Sequence, residues 1–154
     1  MANLARTLSS QGDLARGREL QVETVHMLRQ VLGLEHPDTL SSMISLAADL
    51  YAQGDFDGAR KLQEETLAVQ HRVLGPEHPN ASASAWWLFI TLQKLGEHAA
   101  ARTLLMQDLL WLLGRDPATL GAQQREVRDR VAQTATFTAS ASKNRNANPD
   151  PPSD

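Results

Sequence analysis

The chain has 154 residues, is 42% hydrophobic and 21% charged, and carries a formal net charge of −3, the balance of one ordinary globular domain. That charge leaves no basic excess to neutralise phosphates, which argues against a generic nucleic-acid surface. The absence of cysteine excludes disulfides and thiolate metal sites and points to a reducing, cytoplasmic setting, and no apolar run approaches the ~18 residues of a membrane span.

In chain order, the first unit covers residues 1–33. Met1-Ala2-Asn3-Leu4-Ala5-Arg6 lacks the apolar stretch of a signal peptide and opens a first helix. A second helix follows from Gly12-Asp13-Leu14-Ala15-Arg16-Gly17-Arg18-Glu19-Leu20-Gln21 to Gly33. The next unit, 34–75, repeats two landmarks 42 residues on. Val31-Leu32-Gly33-Leu34-Glu35-His36-Pro37-Asp38 returns as Val73-Leu74-Gly75-Pro76-Glu77-His78-Pro79-Asn80, and the Gly12 stretch returns from Gly54 to Gln63. Between them, Leu40, Met43, Ile44, Ala47, Leu50 and Tyr51 fall at helical spacing, as do Phe56, Ala59, Leu62, Leu67, Val69, Val73 and Leu74. Gly54 is placed to end the first helix of the pair, and Gly33 and Gly75 to end second helices. Pro37, Pro79 and Pro117 sit where a first helical turn tolerates a missing N–H. No segment alternates with period two, so no strand is predicted.

The third unit, 76–114, is more worn. Gly96-Glu97-His98 opens its second helix, and Leu113-Gly114-Arg115-Asp116-Pro117 is a shortened copy of the turn. Small residues recur at close helix approaches: Ala5, Gly17 and Thr24, then Ala47, Ala59 and Thr66. The third copy reads Phe89, Ala101 and Asp108, which predicts locally irregular packing. Residues 117–133 align with a first helix but place Gln123, Gln124, Glu126 and Arg130 where Met43, Ile44, Leu46 and Leu50 stood. A terminal helix needs such a polar outer face to stop a stack. The Ser-, Ala-, Asn- and Pro-rich remainder, 134–154, is predicted to be a disordered tail.

Helix–turn–helix units at a fixed 42-residue step imply an all-α solenoid. The string Leu-Gly-x-Glu-His-Pro-(Asp/Asn), a helix, and then Tyr51-x-Gln53-Gly54-Asp55-Phe56-x-x-Ala59-Arg60-x-Leu62 resembles the long tetratricopeptide repeat variant of kinesin light chains. It is also similar to the sensor arrays behind bacterial and fungal nucleotide-binding switch proteins. The resemblance runs from about Asn3 to about Gln133. It implies antiparallel helix pairs, about three repeats and a capping helix over one domain, 1–133. It implies as well a concave face, lined by the first helices, that binds a protein or peptide.

The residues expected on that face are Asn3 and Arg6; Ser41, Ile44, Ser45 and Ala48; and Trp86, Trp87, Ile90 and Lys94. Of the asparagine pair usual in the family only Asn3 remains; Ile44-Ser45 and Trp86-Trp87 stand in the later copies, which implies a more apolar groove. Adjacent helical residues point ~100° apart, so one Trp is expected in the core and the other in the groove. His36 and His78 recur together and are expected to be turn or capping residues. No catalytic constellation, phosphate loop, metal site or cofactor site is predicted. The leading function is a protein-interaction module without enzymatic activity; the alternative is a regulatory fragment of a larger nucleotide-binding signalling protein. By register Met1 corresponds to Met43. An uncapped N-terminal edge is therefore expected, which favours a homo-oligomer or a fragment of a longer array.

Overall fold

The computed structural model describes residues 14–145, with side chains over 16–134. Six helices follow one another: α1 (Leu14–Val31), α2 (Pro37–Ala52), α3 (Phe56–Leu74), α4 (Pro79–Lys94), α5 (His98–Leu104) and α6 (Ala122–Arg145). A π-helical turn (Leu105–Leu109) and two 3₁₀ turns (Leu110–Gly114 and Pro117–Thr119) join α5 to α6. No strand occurs among the described residues. From α1 to α5 each helix packs on the next, and α6 packs on α4 and on the Leu110–Gly114 turn, the arrangement of a helical solenoid. Asn3, Arg6 and the expected open N-terminal edge lie outside the described residues.

The repeat begins its helices by one recurring device. His36 and His78 take extended backbone, and their Nδ1 atoms accept from the N–H groups of Asp38 and Asn80, both at 3.2 Å. Pro37 and Pro79 follow, each lacking a donor that would otherwise go unpaired. In the worn third copy Asp116 replaces the histidine and accepts from the Ala118 N–H at 2.9 Å. Asp55 caps α3 by accepting from the Gly58 N–H at 2.9 Å. Gly33 and Gly75 take φ of +87° and +89° at the bends after α1 and α3. A Cβ there would meet nothing within 4 Å, so the turn requires the left-handed φ and not the missing volume.

Packing forms two clusters. Val25, Met43, Leu46, Leu50 and Ala59 join α1, α2 and α3. A larger cluster gathers Leu67 with Trp86, Leu88, Phe89, Leu92, Leu109, Leu112, Val127 and Val131. Ala47, Ala59, Thr66 and Ala101 are all 2% exposed or less, as their role at close approaches demands. Ion pairs recur between units: Arg18–Asp55 at 2.6 Å and Arg60–Glu97 at 3.5 Å, then Arg72–Glu35 and Arg115–Glu77, both at 2.7 Å. Their side chains are partly exposed, so each contributes at most about 1 kcal/mol.

The third unit is irregular where its sequence departs. Thr24 and Thr66 return their hydroxyls to the carbonyls of Leu20 and Leu62, each at 2.7 Å. At the same register Asp108 has no such donor, and the π turn spans it. The C-terminal expectations are corrected in two ways. The capping helix does not start at Pro117: that proline opens a separate 3₁₀ turn, and α6 begins at Ala122, after Gly121. Nor are residues 134–145 a disordered tail, since α6 continues through them to Arg145. Extending an existing helix carries no second nucleation cost.

Candidate functional site

The first helices of the second and third units, α2 and α4, meet α3 around a hollow that all three line. Its wall is formed by Ile44, Ala47 and Ala48 from α2, Gln63 and Thr66 from α3, and Ser84 and Trp87 from α4. Small residues make the space: Ala47 and Ser84 bury almost completely yet fill little of the gap. Empty volume there is ≈ 390 Å³ and includes open solvent. At the rim Trp87 is 47% exposed and Ile44 42%. Tyr51 steadies the Trp87 ring edge-on at 6.1 Å and itself meets Phe56 at 5.2 Å. No lining residue is ionisable.

Of the residues expected on this face, Ile44, Ala48 and Trp87 come together on the hollow. Ser41 and Lys94 are exposed and Ser45 is half-buried, but none of the three lines it. Ile90 is half-buried against the larger core cluster. Trp86 is a correction: it is 8% exposed, inside that cluster, with its ring stacked on Phe89 at 5.3 Å. The phase of α4 turns Trp86 into the core, so Trp87 alone of the pair faces outward. Ala47 and Thr66 were legible only as small packing positions. Gln63 and Ser84 were not expected. The signal for Gln63 was its recurrence 42 residues after Gln21, a polar residue twice on a buried face.

Chemistry elsewhere is structural. His36 and His78 are caps, and His26 and His98 contact Gln30 and Gln93 at 3.0 and 2.9 Å. His71 Nε2 lies 3.5 Å from Asp108. Burial raises the Asp108 carboxyl above its ordinary range, with the His71 charge opposing. The Gly58 N–H holds the Asp55 carboxyl below its ordinary range; burial opposes it, and Arg18 adds to the lowering. No group of three or more His, Asp or Glu among the described residues could hold a metal ion. No helix among them is long and apolar enough to cross a membrane.

A stack of helix pairs with an apolar hollow between successive first helices defines a helical-repeat scaffold. The tetratricopeptide repeat profile matches residues 1–38 and 39–80, and the chain belongs to the tetratricopeptide repeat family. Among solved structures, it is similar to the nearly identical TPR-like repeats of a proposed kinesin light chain from Podosopora anserina. Identity is 28% and the TM-score 0.71, covering 92% of this chain and 68% of that one. A point variant of the same protein matches at 26% identity and a TM-score of 0.72, with the same coverage. BtubC (BKLC) from P. vanneervenii shares the fold, at 14% identity and a TM-score of 0.64 over 98% of this chain and 65% of that one. No curated protein matches the sequence.

Proposed function

We propose that the chain is a docking module that receives a segment of a partner protein on the concave face formed by its first helices. Tetratricopeptide repeats are in general protein–protein interaction modules on a non-catalytic scaffold, and the hollow beside Trp87 gives this copy of the scaffold an anchor point. The observation that carries the proposal is Trp87, 47% exposed beside Ile44 and in edge-on contact with Tyr51. An exposed aromatic next to an uncharged recess is what a binding hot spot requires, and leaving it in water without a partner has an unfavourable hydrophobic cost.

To test this, peptides are selected from a displayed random library on the intact chain, and their affinities are measured for wild type, Trp87→Ala, Ile44→Ser and Trp86→Phe. Removing a central hot spot costs about 2 kcal/mol or more, so Trp87→Ala is expected to weaken selected peptides by tenfold or more. Ile44→Ser is expected to weaken them less, and Trp86→Phe to leave them unchanged. Peptides that bind Trp87→Ala as tightly as wild type overturn the proposal.

A further inference from the structure

The second helices of successive units are tied together by a repeated ion pair, and the repeat changes its chemistry once. On α1, Arg29 reaches forward one unit and pairs with Glu65 of α3 at 2.6 Å. One 42-residue step on, the same position is His71. It reaches forward again, its Nε2 lying 3.5 Å from the Asp108 carboxylate in the π turn. The acid is displaced by one residue, because Gln107 stands at the register of Glu65. It falls instead where Thr24 and Thr66 return their hydroxyls to the helix, a task that an ionised carboxylate cannot perform. The other pairs between units, Arg18–Asp55, Arg60–Glu97, Arg72–Glu35 and Arg115–Glu77, all use arginine. Of these cations only His71 can lose its charge near neutrality, since a guanidinium keeps its proton throughout.

The histidine pair is also the more enclosed. Side-chain exposure is 28% for His71 and 15% for Asp108, against 33% and 38% for Arg29 and Glu65. His71 Nε2 is buried without a hydrogen-bond partner, so a proton there meets the facing carboxylate. Burial disfavours the Asp108 charge, and the one charge that opposes burial is His71. Charged groups on the surrounding elements are engaged elsewhere or turned to water. On α3, Arg72 is on Glu35 and Arg60 on Glu97; beyond the π turn, Arg115 is on Glu77. On α6, Arg130 is on Glu126 and Arg128 on Asp129. Lys94 of α4 and Arg102 of α5 are exposed. We propose that His71 and Asp108 form a proton-operated clasp between α3 and the third unit, closed in mildly acidic solution and released as pH rises through neutrality. The Arg29–Glu65 clasp one unit earlier holds throughout. On release the carboxylate is left half-buried without a counter-charge, which loosens the π turn that carries it. In stronger acid the clasp opens from the other side, as Asp108 takes up a proton. None of this depends on partner docking.

The test is amide hydrogen exchange on the full chain, comparing protection of residues 105–113 at about pH 5.5 and about pH 8, on either side of the imidazole range. The reference is His71→Arg, which makes the clasp permanent and keeps the other histidines, the His36 and His78 caps among them. At about pH 5.5 wild type and His71→Arg are expected to agree. At about pH 8 wild type is expected to be about fivefold less protected over 105–113, the upper range for a partly exposed ion pair, while the α1 amides around Arg29 match in the two proteins. His71→Gln, checked by circular dichroism, is expected to equal wild type at the higher pH and to fall below it at the lower. Asp108→Thr restores the residue of the earlier units; in that background, replacing His71 by Arg is expected to have the same effect at both pH values. A ratio of wild type to His71→Arg that does not change with pH overturns the proposal. Should the arginine not be accommodated, a His71→Gln deficit equal at both pH values overturns it too. So does a pH-dependent ratio that survives in Asp108→Thr, since the partner of His71 would then lie elsewhere.

Discussion

Trp86 and Trp87 share a residue type and a helix, yet they stand in opposite environments. Trp86 is stacked on Phe89 in the larger cluster, and Trp87 is half in water. Truncating a buried aromatic leaves a cavity, so Trp86→Ala is expected to lower unfolding free energy by about 3–5 kcal/mol. Trp87→Ala is expected to cost under ~1 kcal/mol, the usual range for surface changes, by urea titration. The ~100° step between neighbours made the split legible, but α4 is apolar around most of its circumference: Ala81, Ser82, Ala85, Leu88, Phe89 and Leu92 are all buried. No polar stripe in the sequence therefore marked which Trp faced out. Asp55 and Asp108 carry opposite signs in pH dependence. Asp55 has its native pKa lowered, so its stabilisation is complete above the unfolded carboxylate value, about 4, and is lost as pH falls through the native one. Asp108 has its native pKa raised, so it weakens the fold as pH climbs from about 4 through its native value. Asp55→Asn is expected to flatten the acid limb of the stability–pH profile. Asp108→Asn is expected to raise stability at pH 7; a fall there would show that the His71 contact outweighs the burial cost.

At the level of helices, the turn between units was the most legible part of the chain, because each of its residues has a local task. The histidine caps, the proline needs no donor, and the glycine takes positive φ, all within one short stretch. His78→Ala is expected to cost about 1 kcal/mol by loss of the cap on Asn80 N–H. His78→Asp is expected to be neutral or better, since Asp116 performs the same task in the third copy at 2.9 Å and adds favourable charge at a helix start. Thermal melts of the two variants distinguish a capping role from any other role of the imidazole. The end of the chain was less legible for a physical reason. Composition weighs Thr134 to Arg145 as too polar to bury a core. Continuing α6 requires only that each added residue tolerate helix, and Ala135, Ala139 and Ala141 do so. The hollow itself was only half legible: Ile44, Ala48 and Trp87 lie on the expected face, but Gln63 and Ser84 enter it through the gap that small residues leave, which no single-helix periodicity displays.

Across the whole chain, the two core clusters make cohesion uneven. Solenoid stability is a sum of units and the seams between them, because each unit touches only its neighbours. The smaller cluster rests on Met43, Leu46 and Leu50 with Val25 and Ala59; the larger draws on α4, the 105–114 turns and α6, with Leu109, Leu112 and Val131 wholly buried. Leu67 of α3 belongs to the larger cluster while Ala59 of the same helix belongs to the smaller, so α3 is the hinge of cohesion between them. Opening free energy then depends on which block a backbone N–H lies in. Native-state hydrogen exchange is expected to protect α4 and the first turns of α6 more strongly than α1 and the first half of α2. Leu112→Ala, which removes a fully buried side chain at about 2–5 kcal/mol, is expected to bring the α4 and α6 amides down to the level of the rest, with α1 and α2 little changed. A single opening free energy shared by α1 through α6, shifted uniformly by Leu112→Ala, would mean that the seam at α3 couples the blocks fully. The hollow between α2 and α4 would then stiffen and loosen with the chain as a whole, whereas two separate openings let the α4 wall with Trp87 persist after the α2 wall with Ile44 has frayed.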